Sequence, residues 1–358
     1  MRIAFDVSPL SHERTGVNNY IRGSLSGLAE VARPQGHEIV AFAPTSPAGR
    51  STIRRALAGV DVETRLLPLP AAHAIRTAWS RGARLSAERF IGRFDVLHFS
   101  DWMYPPQAHG VRATTIHDLV PLHHPEWTTP RTRAMHTRKY RNAAATCDVI
   151  FANSAFTADD VAATLGFARD RVVVAHPGIG SEYGAEGEHA DLGMPYVLTV
   201  ATLEPRKNLA TLVEAFGLLD HDGLLLAVVG GTGWGEQPQL DRPGIVRLGR
   251  VADDELARLY RGAAAVVYPS RFEGFGMPIT EAMASGAPVV SSSHRSMDEA
   301  SGDAAVRVDP DNPESIAAGI RKALDRGPEL RAAGLEQARR FSWRRTGAAF
   351  LEGYERFA

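Results

Sequence analysis

Two glutamates, Glu273 and Glu281, stand on either side of a glycine-rich turn in the sequence EGFGMPITE. The apolar run that ends at Val267 predicts a buried strand before the turn, and Pro278 suits the first position of a helix after it. Free N–H groups at a helix N-terminus favour anions, whereas carboxylates accept hydrogen bonds from hydroxyl groups. A nucleotide sugar satisfies both preferences. An ordinary strand–turn–helix, with Glu281 as a partner of the helix dipole, is the alternative.

The same segment resembles the signature of the retaining glycosyltransferases of family 4, which belong to the GT-B superfamily. In that signature two glutamates eight positions apart bracket a G-F-G-x-P loop, and Glu273 and Glu281 match both positions. The resemblance implies that Glu273 binds hydroxyls of the donor sugar and that Glu281 accepts from the ribose of the nucleotide. It also implies a donor-binding loop made of Gly274, Phe275, Gly276 and Met277.

A second motif, LEPRKN at 203–208, lies between a predicted strand at Tyr196–Val200 and a helix that begins near Asn208. Arginine offers a fork of donors and lysine a point charge, so Arg206 and Lys207 at a helix N-terminus predict a phosphate site. A basic surface turn is the alternative. The family resemblance makes this the donor diphosphate site. Many members carry an arginine five residues before the lysine, where this chain has a threonine, and Arg206 is predicted to supply that charge.

Two further turns follow strands in the second half of the chain, VGGTG at 229–233 and LGRV at 248–251. Glycine at such a place lets a ligand approach the backbone closely. The family resemblance places four of their residues around the nucleotide base and ribose, namely Gly230, Gly231, Arg250 and Val251.

The first half of the chain carries the motif TGVNNY at 15–20, directly after the first predicted strand. Gly16 at the start of a helix could admit a ligand to the backbone, and a plain turn is the alternative. The motif resembles the T-G-x-x-x-Y opening of family 4, which implies that Gly16 lies beneath the donor phosphate and sugar. Asn18 and Asn19 are candidate hydrogen-bond donors on the acceptor side.

Another motif of the first half, HDLVP at 117–121, follows a predicted strand. The carboxyl ends of strands in α/β sheets face the ligand, so His117 and Asp118 are predicted at that edge, Asp118 on the acceptor side. A satisfied structural histidine is the alternative. The H-D-L-x-P context resembles a family 4 subgroup, leaning towards mannosyltransferases, in which the histidine touches the transferred sugar.

Two clusters of candidate ligands bear on metal binding. His123 and His124 with Glu126 do not match the ligand spacing of a standard metal site. Asp309 and Asp311 are similar to the aspartate pair of metal-dependent transferases, but they follow a late strand where GT-B proteins have only a turn, and we interpret them as structural. No metal and no cofactor is therefore expected. The expected partner is a GDP- or UDP-sugar used as donor substrate.

A chain of 358 residues with 44% apolar content predicts two globular domains. Predicted strands alternate with helices such as Asn18–Ala32, Thr132–Ala144 and Ala155–Leu165, which is typical of doubly wound α/β domains. The predicted strands are Arg2–Val7, Glu38–Ala43, Val62–Leu69, Asp95–Phe99, Thr114–His117, Asp148–Ala152, Arg171–Ala175, Tyr196–Val200, Leu224–Val229, Ile245–Leu248, Ala264–Tyr268, Pro288–Ser291 and Val306–Val308.

The resemblance implies the α/β GT-B fold, in which two Rossmann-like doubly wound domains face each other across a cleft. Residues 1–185 are predicted to form the acceptor domain and 186–342 the nucleotide-sugar donor domain. The last helix, within 343–358, is predicted to cross back to the first domain. Because Gly178–Met194 is rich in glycine and acid, it is predicted to be the linker between the domains.

Composition also bears on location. The N-terminus reads as a strand rather than a signal peptide, no run approaches the length of a membrane span, and the single cysteine, Cys147, excludes an internal disulfide. These features favour a cytoplasmic protein, and no nucleic-acid partner is expected. Nine arginines stand against three acidic residues within 50–93. That stretch predicts peripheral contact with an anionic membrane at its inner face, or else a solvated helical face.

The sequence thus predicts a retaining, metal-independent glycosyltransferase of polysaccharide biosynthesis. It would move a hexose such as mannose from a nucleoside diphosphate sugar to a glycan, lipid-linked or small-molecule acceptor, with His117, Arg206, Lys207 and Glu273 as catalytic residues. The alternatives are a non-catalytic subunit that binds nucleotide sugars, or another GT-B enzyme such as a nucleotide-sugar epimerase.

Overall fold

The computed structural model describes residues 1–13, 15–68, 72–100, 103–219, 223–235 and 238–358. The chain divides into two compact units. The first consists of Met1–Gly178 and Ser342–Ala358, and the second of Ile179–Phe341. The second unit therefore begins a few residues before the boundary expected at 185/186.

A parallel seven-stranded sheet, in the order β3-β2-β1-β4-β5-β6-β7, forms the centre of the first unit. Its strands are β1 Arg2–Asp6, β2 Glu38–Thr45, β3 Glu63–Pro68, β4 Val96–Phe99, β5 Val111–Ile116, β6 Val149–Ala152 and β7 Val172–Val174. The helices between them are α1 Gly16–Ala32, α2 Pro47–Ala56, α3 Ala72–Ser80, α4 Glu88–Ile91, α5 Val120–His123, α6 Pro130–Thr146 and α7 Ala155–Leu165. Leu69, the end of one predicted strand, lies outside the described residues. The strand order reverses at β1, between β2 and β4, which creates a crevice at the carboxyl ends.

The second unit is built around a parallel six-stranded sheet in the order β10-β9-β8-β11-β12-β13. Its strands are β8 Tyr196–Val200, β9 Leu225–Val229, β10 Ile245–Gly249, β11 Ala265–Tyr268, β12 Val289–Ser292 and β13 Ala305–Val308. Its helices are α8 Leu209–Gly217, α9 Asp253–Gly262, α10 Met277–Ala284, α11 Arg295–Ser301, α12 Pro313–Asp325 and α13 Gly327–Ala338. The order reverses between β8 and β11. The two sheets confirm the predicted pair of doubly wound α/β domains.

Most of the segment predicted to be a linker packs on the second unit. The Tyr183 ring lies 5.8 Å from that of Tyr260 on α9. The main-chain N–H of Ala190 donates to the carbonyl of Arg258, at 3.0 Å, and Arg261 Nε donates to the carbonyl of Glu188, at 2.7 Å. Because these anchors are main-chain groups and one tyrosine, the composition of the segment did not reveal them.

The last helix, α14 Trp343–Glu355, belongs to the first unit and packs on α1. The two backbones approach so closely that a Cβ on Gly27 would lie 1.7 Å from the carbonyl oxygen of Trp343. Only glycine permits this approach. Phe350 and Tyr354 of α14 are fully buried in the core of the unit, so the end of the chain completes the first unit.

Candidate active site

The carboxyl ends of β8 and β11 lie side by side because these two parallel strands are hydrogen-bonded neighbours. A 3-10 turn at Pro205–Lys207 follows β8, and the loop that carries Glu273 follows β11. Asn208 joins the two segments. It adopts the left-handed conformation with φ of 61°, and its side-chain amide donates to the carbonyl of Pro269 at 3.1 Å. The sheet topology therefore delivers two cations and one carboxylate to the same place.

Glu273 is the shared acceptor of three side chains. Its Oε1 accepts from Lys207 Nζ at 2.6 Å and from Ser270 Oγ at 2.6 Å. Its Oε2 accepts from Arg206 Nη1 at 2.8 Å. The side chains of Glu273, Lys207 and Arg206 are 9%, 11% and 20% exposed. Charge-assisted hydrogen bonds of this length, shielded from water, are among the stronger polar contacts in a protein.

The protonation behaviour of this cluster follows from burial and charge together. Burial alone would raise the pKa of Glu273, but the Arg206 guanidinium and the Lys207 ammonium outweigh it and lower the pKa from 4.5 to about 2. Burial and the neighbouring Arg206 lower the pKa of Lys207, against the opposing pull of Glu273. Glu273 is therefore ionised at neutral pH and serves as the counter-ion of both cations.

Tyr268, the last residue of β11, holds Lys207 from another side. Lys207 Nζ donates to the Tyr268 hydroxyl at 2.8 Å. Burial, and then the charge of Glu273, raises the pKa of Tyr268 well above its ordinary value. The tyrosine thus remains neutral and fixes the direction of the ammonium group. The sequence analysis missed this residue, although its place at the carboxyl end of a strand was a usable signal.

Glu281 lies on α10 and has a different partner. It is buried, and its Oε2 accepts from the hydroxyl of Tyr260 on α9 at 3.1 Å. Burial, and then the nearby Glu281, raises the pKa of Tyr260 well above its ordinary value. The two glutamates of the motif are thus held by separate sets of side chains, and Tyr260 was also missed from sequence.

The glycine-rich loop enters α10 as predicted, but its side chains do not all face a ligand. Gly276 precedes the helix with φ of 99°, in the left-handed region that favours glycine. Met277 begins the helix. The Phe275 side chain is only 2% exposed and packs on Phe341, with ring centroids 5.2 Å apart. Phe275 would therefore contact a nucleotide-sugar donor through its main chain. The same holds for Gly274, which has no side chain.

The turns after β9 and β10 converge next to this region. A Cβ on Gly230 would lie 1.8 Å from the carbonyl oxygen of Ala201, so the turns after β8 and β9 are in close contact. A Cβ on Gly231 would lie 2.4 Å from Arg250 Nε, which places the arginine side chain over this glycine. Val251 follows and is half-buried. The predicted nucleotide-binding residues of these turns are thus adjacent.

In the first unit, His117 and Asp118 follow β5 directly. The His117 ring meets the Tyr20 ring edge-on, with centroids 5.0 Å apart. Asp118 accepts from the main-chain N–H of Val120 at 3.0 Å, and its own carbonyl accepts from the Tyr140 hydroxyl at 3.0 Å. One carboxylate oxygen of Asp118 thus shapes the loop, and its predicted role on the acceptor side stays a prediction.

The residues of the TGVNNY motif differ in their surroundings. Gly16 begins α1, and among the described residues none outside its own helix and chain neighbours has an atom within 4 Å of the position a Cβ would take. Asn18 is buried, accepts from Thr15 Oγ1 at 2.7 Å and donates to the carbonyl of Pro9 at 3.2 Å. Its amide thus makes hydrogen bonds inside the loop, and its predicted place as a donor on the acceptor side stays a prediction. Asn19 is half-buried on the same helix.

Asp309 and Asp311 behave as structural residues. Asp311 accepts from Arg271 Nε at 2.6 Å, and Asp309 accepts from the main-chain N–H of Asp311 at 3.0 Å. Within the described ranges, no group of three or more histidine, cysteine, aspartate or glutamate side chains is arranged to hold a metal ion. Independence of metal stays a prediction.

The charge cluster predicts a dependence of stability on pH. Because the pKa of Glu273 is lowered from 4.5 to about 2 in the folded chain, its contribution is present above about pH 4.5 and lost as the pH falls towards 2. We expect Glu273→Gln to lower the unfolding free energy most at neutral pH, with roughly 3 kcal/mol of that deficit disappearing in acid. Urea unfolding across this range, with exposed Glu214→Gln as control, measures it. A deficit that stays constant with pH would contradict the assignment.

Comparisons with known proteins agree with this geometry. A family model described as Glycosyltransferase Family 4 matches residues 14–183, and one described as Glycosyl transferases group 1 matches residues 186–341. The chain is 32% identical over 284 residues to O-antigen chain mannosyltransferase B of Escherichia coli, covering 73% of this chain and 74% of that protein. It is 30% identical to the serotype-specific mannosyltransferase WbdA of Escherichia coli, covering 67% of this chain but only 33% of that longer protein.

A solved structure shares the fold at low identity. HepE of Anabaena, crystallised in complex with UDP and glucose, superposes with a TM-score of 0.70 at 15% identity, over 98% of each chain. The family signature at Glu273 and Glu281, the two family models and the curated relatives agree, and they confirm the predicted family and enzyme class. The chain belongs to glycosyltransferase family 4 and is a hexosyltransferase with the GT-B fold.

Proposed function

We propose that this chain transfers a hexose, with mannose as the leading candidate, from a nucleoside diphosphate sugar to a hydroxyl group of an acceptor, with retention of the anomeric configuration. The mannosyltransferase names of the curated relatives support the sugar, and the UDP and glucose in HepE support the class of donor. The resemblance of the Glu273–Glu281 segment to the family signature supports retention. The acceptor is a glycan, a lipid-linked glycan or a small molecule.

The observation that carries this proposal is the buried pair of cations after β8. Lys207 and Arg206 are adjacent, shielded from water and oriented by Glu273 before any ligand arrives. Glu273 and, at Arg206, Glu204 balance these two buried charges, and the two adjacent cations can also donate charge-assisted hydrogen bonds to an anionic ligand. A diphosphate is an anion of the right size and charge, and the negative charge on it grows as it leaves the sugar. Preorganised cations stabilise that growing charge without having to move.

The proposed reaction is a displacement on one face of the sugar. The bond between the anomeric carbon and the diphosphate oxygen breaks, and its electron pair leaves with the diphosphate. A bond forms between that carbon and the acceptor oxygen on the same face, and the hydroxyl proton passes to a departing phosphate oxygen. Lys207 and Arg206 stabilise the leaving group, and Glu273 binds sugar hydroxyls. The contact of His117 with the transferred sugar stays a prediction, as does independence of metal.

Glu281 and Tyr260 would recognise the ribose. The Tyr260 hydroxyl fixes one carboxylate oxygen of Glu281 and so orients the carboxylate that would accept from the ribose hydroxyls. Gly230, Gly231, Arg250 and Val251 would surround the base, since they lie on the adjoining turns. Recognition of the nucleotide thus rests on α9, α10 and the turns after β9 and β10.

A thermal-shift screen of nucleoside diphosphates and their sugars, without added metal, tests the donor assignment. We expect GDP or UDP to raise the melting temperature, because a ligand that binds the folded chain stabilises it by mass action. Glu281→Ala should weaken binding of the ribonucleotide by about tenfold, since a buried charged hydrogen bond is lost, and leave the 2′,3′-dideoxy analogue nearly unaffected. No shift with any nucleotide would rule out the donor site proposed.

Lys207→Ala tests the catalytic role. We expect turnover to fall by about 10²–10³-fold, because the lost charge acts on the leaving diphosphate in the transition state. The melting temperature should change far less in proportion. Arg242→Ala, which removes an exposed arginine of the same unit, is the matched control and should leave turnover unchanged. Full activity of the Lys207 variant would remove the lysine from the mechanism.

Peripheral membrane contact is the remaining part of the proposal. None of the helices that the structure describes is long and apolar enough to cross a membrane. Within 50–93 the arginines divide, because Arg76 turns inward and donates to the carbonyl of Pro44 at 2.8 Å, whereas Arg54, Arg55, Arg81, Arg84, Arg89 and Arg93 are exposed. These exposed cations suit an anionic headgroup layer. We expect the chain to sediment with anionic vesicles but not with neutral vesicles. Failure to sediment with either kind would exclude the proposed membrane contact.

A further inference from the structure

The segment between β5 and α6 contains an aromatic pair that the proposed reaction does not use. His124 and Trp127 stack with ring centroids 3.9 Å apart and planes inclined by 16°. A 3-10 turn at Pro125–Trp127 sets this spacing, and the N–H of Trp127 donates to the carbonyl of His124 at 3.0 Å. Side chains three residues apart eclipse each other in such a turn. The local backbone therefore holds the two rings face to face.

The pair is fixed from the side by a carboxylate. Glu126 Oε1 lies 3.1 Å from His124 Nδ1, which limits rotation of the imidazole. The preceding residue, His123, donates through Nε2 to Asp160 on α7 at 2.8 Å. Both rings are half-buried, so the stacked pair reaches the surface. The result is an aromatic platform, His124 and Trp127, bordered by the carboxylate of Glu126.

The indole N–H of Trp127 has no hydrogen-bond partner among the described residues. Tryptophan donates only through this group, and a partly buried tryptophan usually finds an acceptor for it. A hydroxyl oxygen of a bound ligand would supply one. The platform thus offers the outer face of a stacked ring, one N–H donor and the carboxylate of Glu126 within a short stretch of chain.

The location of the platform agrees with a role in binding. In a parallel α/β sheet ligands gather at the carboxyl ends of the strands, and residues 117–129 follow the carboxyl end of β5. His117 and Asp118 occupy the beginning of the same segment. The platform therefore lies at the ligand edge of the first unit rather than at the opposite edge.

We propose that His124 and Trp127 form a subsite for a hexopyranose ring of the acceptor. The apolar C–H face of a sugar stacks on an aromatic ring, and its hydroxyls exchange hydrogen bonds with carboxylates and N–H donors. The carboxylate of Glu126 beside His124 disfavours a phosphate at the same place. This inference rests on the proposed function, and it narrows the acceptor to a saccharide.

Direct binding separates this inference from the proposed function. Saturation-transfer NMR with methyl α-mannoside and with an α-linked mannotriose needs no donor and no turnover. We expect transfer to the saccharide in the native chain and its loss in Trp127→Ala. The matched control is His109→Ala, which removes an exposed ring before β5, at the other edge of the sheet. Inorganic phosphate should not compete. No saccharide signal in the native chain, or an equal signal in Trp127→Ala, would overturn the proposal.

Kinetics supply the second readout. With mannotriose as acceptor, Trp127→Ala should raise the acceptor KM by about tenfold or more and leave donor KM and slow donor hydrolysis unchanged. Trp127→Phe keeps a ring but loses the N–H, so its acceptor KM should be intermediate, and this variant also guards against a folding defect. Failure of nucleotide binding in the native chain would remove the proposed function but leave the NMR test intact. An unchanged acceptor KM in both variants would overturn the subsite.

Discussion

The carboxylate of Glu273 allows two cations to be buried side by side at the end of β8. Two adjacent like charges repel each other strongly where water is scarce, and burial itself disfavours the charged form of both groups. Glu273 meets Lys207 at 2.6 Å and Arg206 at 2.8 Å, and so offsets both costs. The left-handed Asn208 and the loop after β11 keep these three groups in register. Loss of Glu273 would leave the buried Lys207 without a carboxylate partner, whereas Arg206 would keep its ion pair with Glu204 at 3.1 Å.

Much of the fold could be predicted because parallel strands buried on both faces read as short apolar runs. Each predicted strand has a counterpart in the two sheets, and Tyr196–Val200 and Ala155–Leu165 match their elements at both ends. The ends of this helix, α7, are marked in the sequence, because the Ser154 side chain caps its start and Gly166 ends it in the left-handed conformation. Gly178–Met194 lacked such signals, because main-chain groups fasten it to the second unit.

The site was predictable in its residues but not in its pairing. The spacing of Glu273 and Glu281 and the adjacency of Arg206 and Lys207 are visible in the sequence. That Glu273 serves both cations is a contact between residues 66 and 67 positions apart, which no local pattern encodes. The role of Tyr260 could not be predicted from the sequence either. A tyrosine on the inner face of an amphipathic helix is predicted to be a core residue, and the periodicity of the sequence does not indicate what its hydroxyl contacts.

The same cluster gives Glu273 two roles that depend on each other. Its oxygens accept hydrogen bonds from Lys207, Arg206 and Ser270. On the proposed function, a bound diphosphate becomes the new counter-ion of the two cations. The carboxylate then has acceptor capacity to spare, and its place beside the phosphate site is where the sugar hydroxyls arrive. On the proposed function, binding of the donor exchanges the carboxylate of Glu273 for the diphosphate as the counter-ion of the two cations. The cations therefore lose no further water, and the carboxylate of Glu273 becomes available where it can bind the sugar.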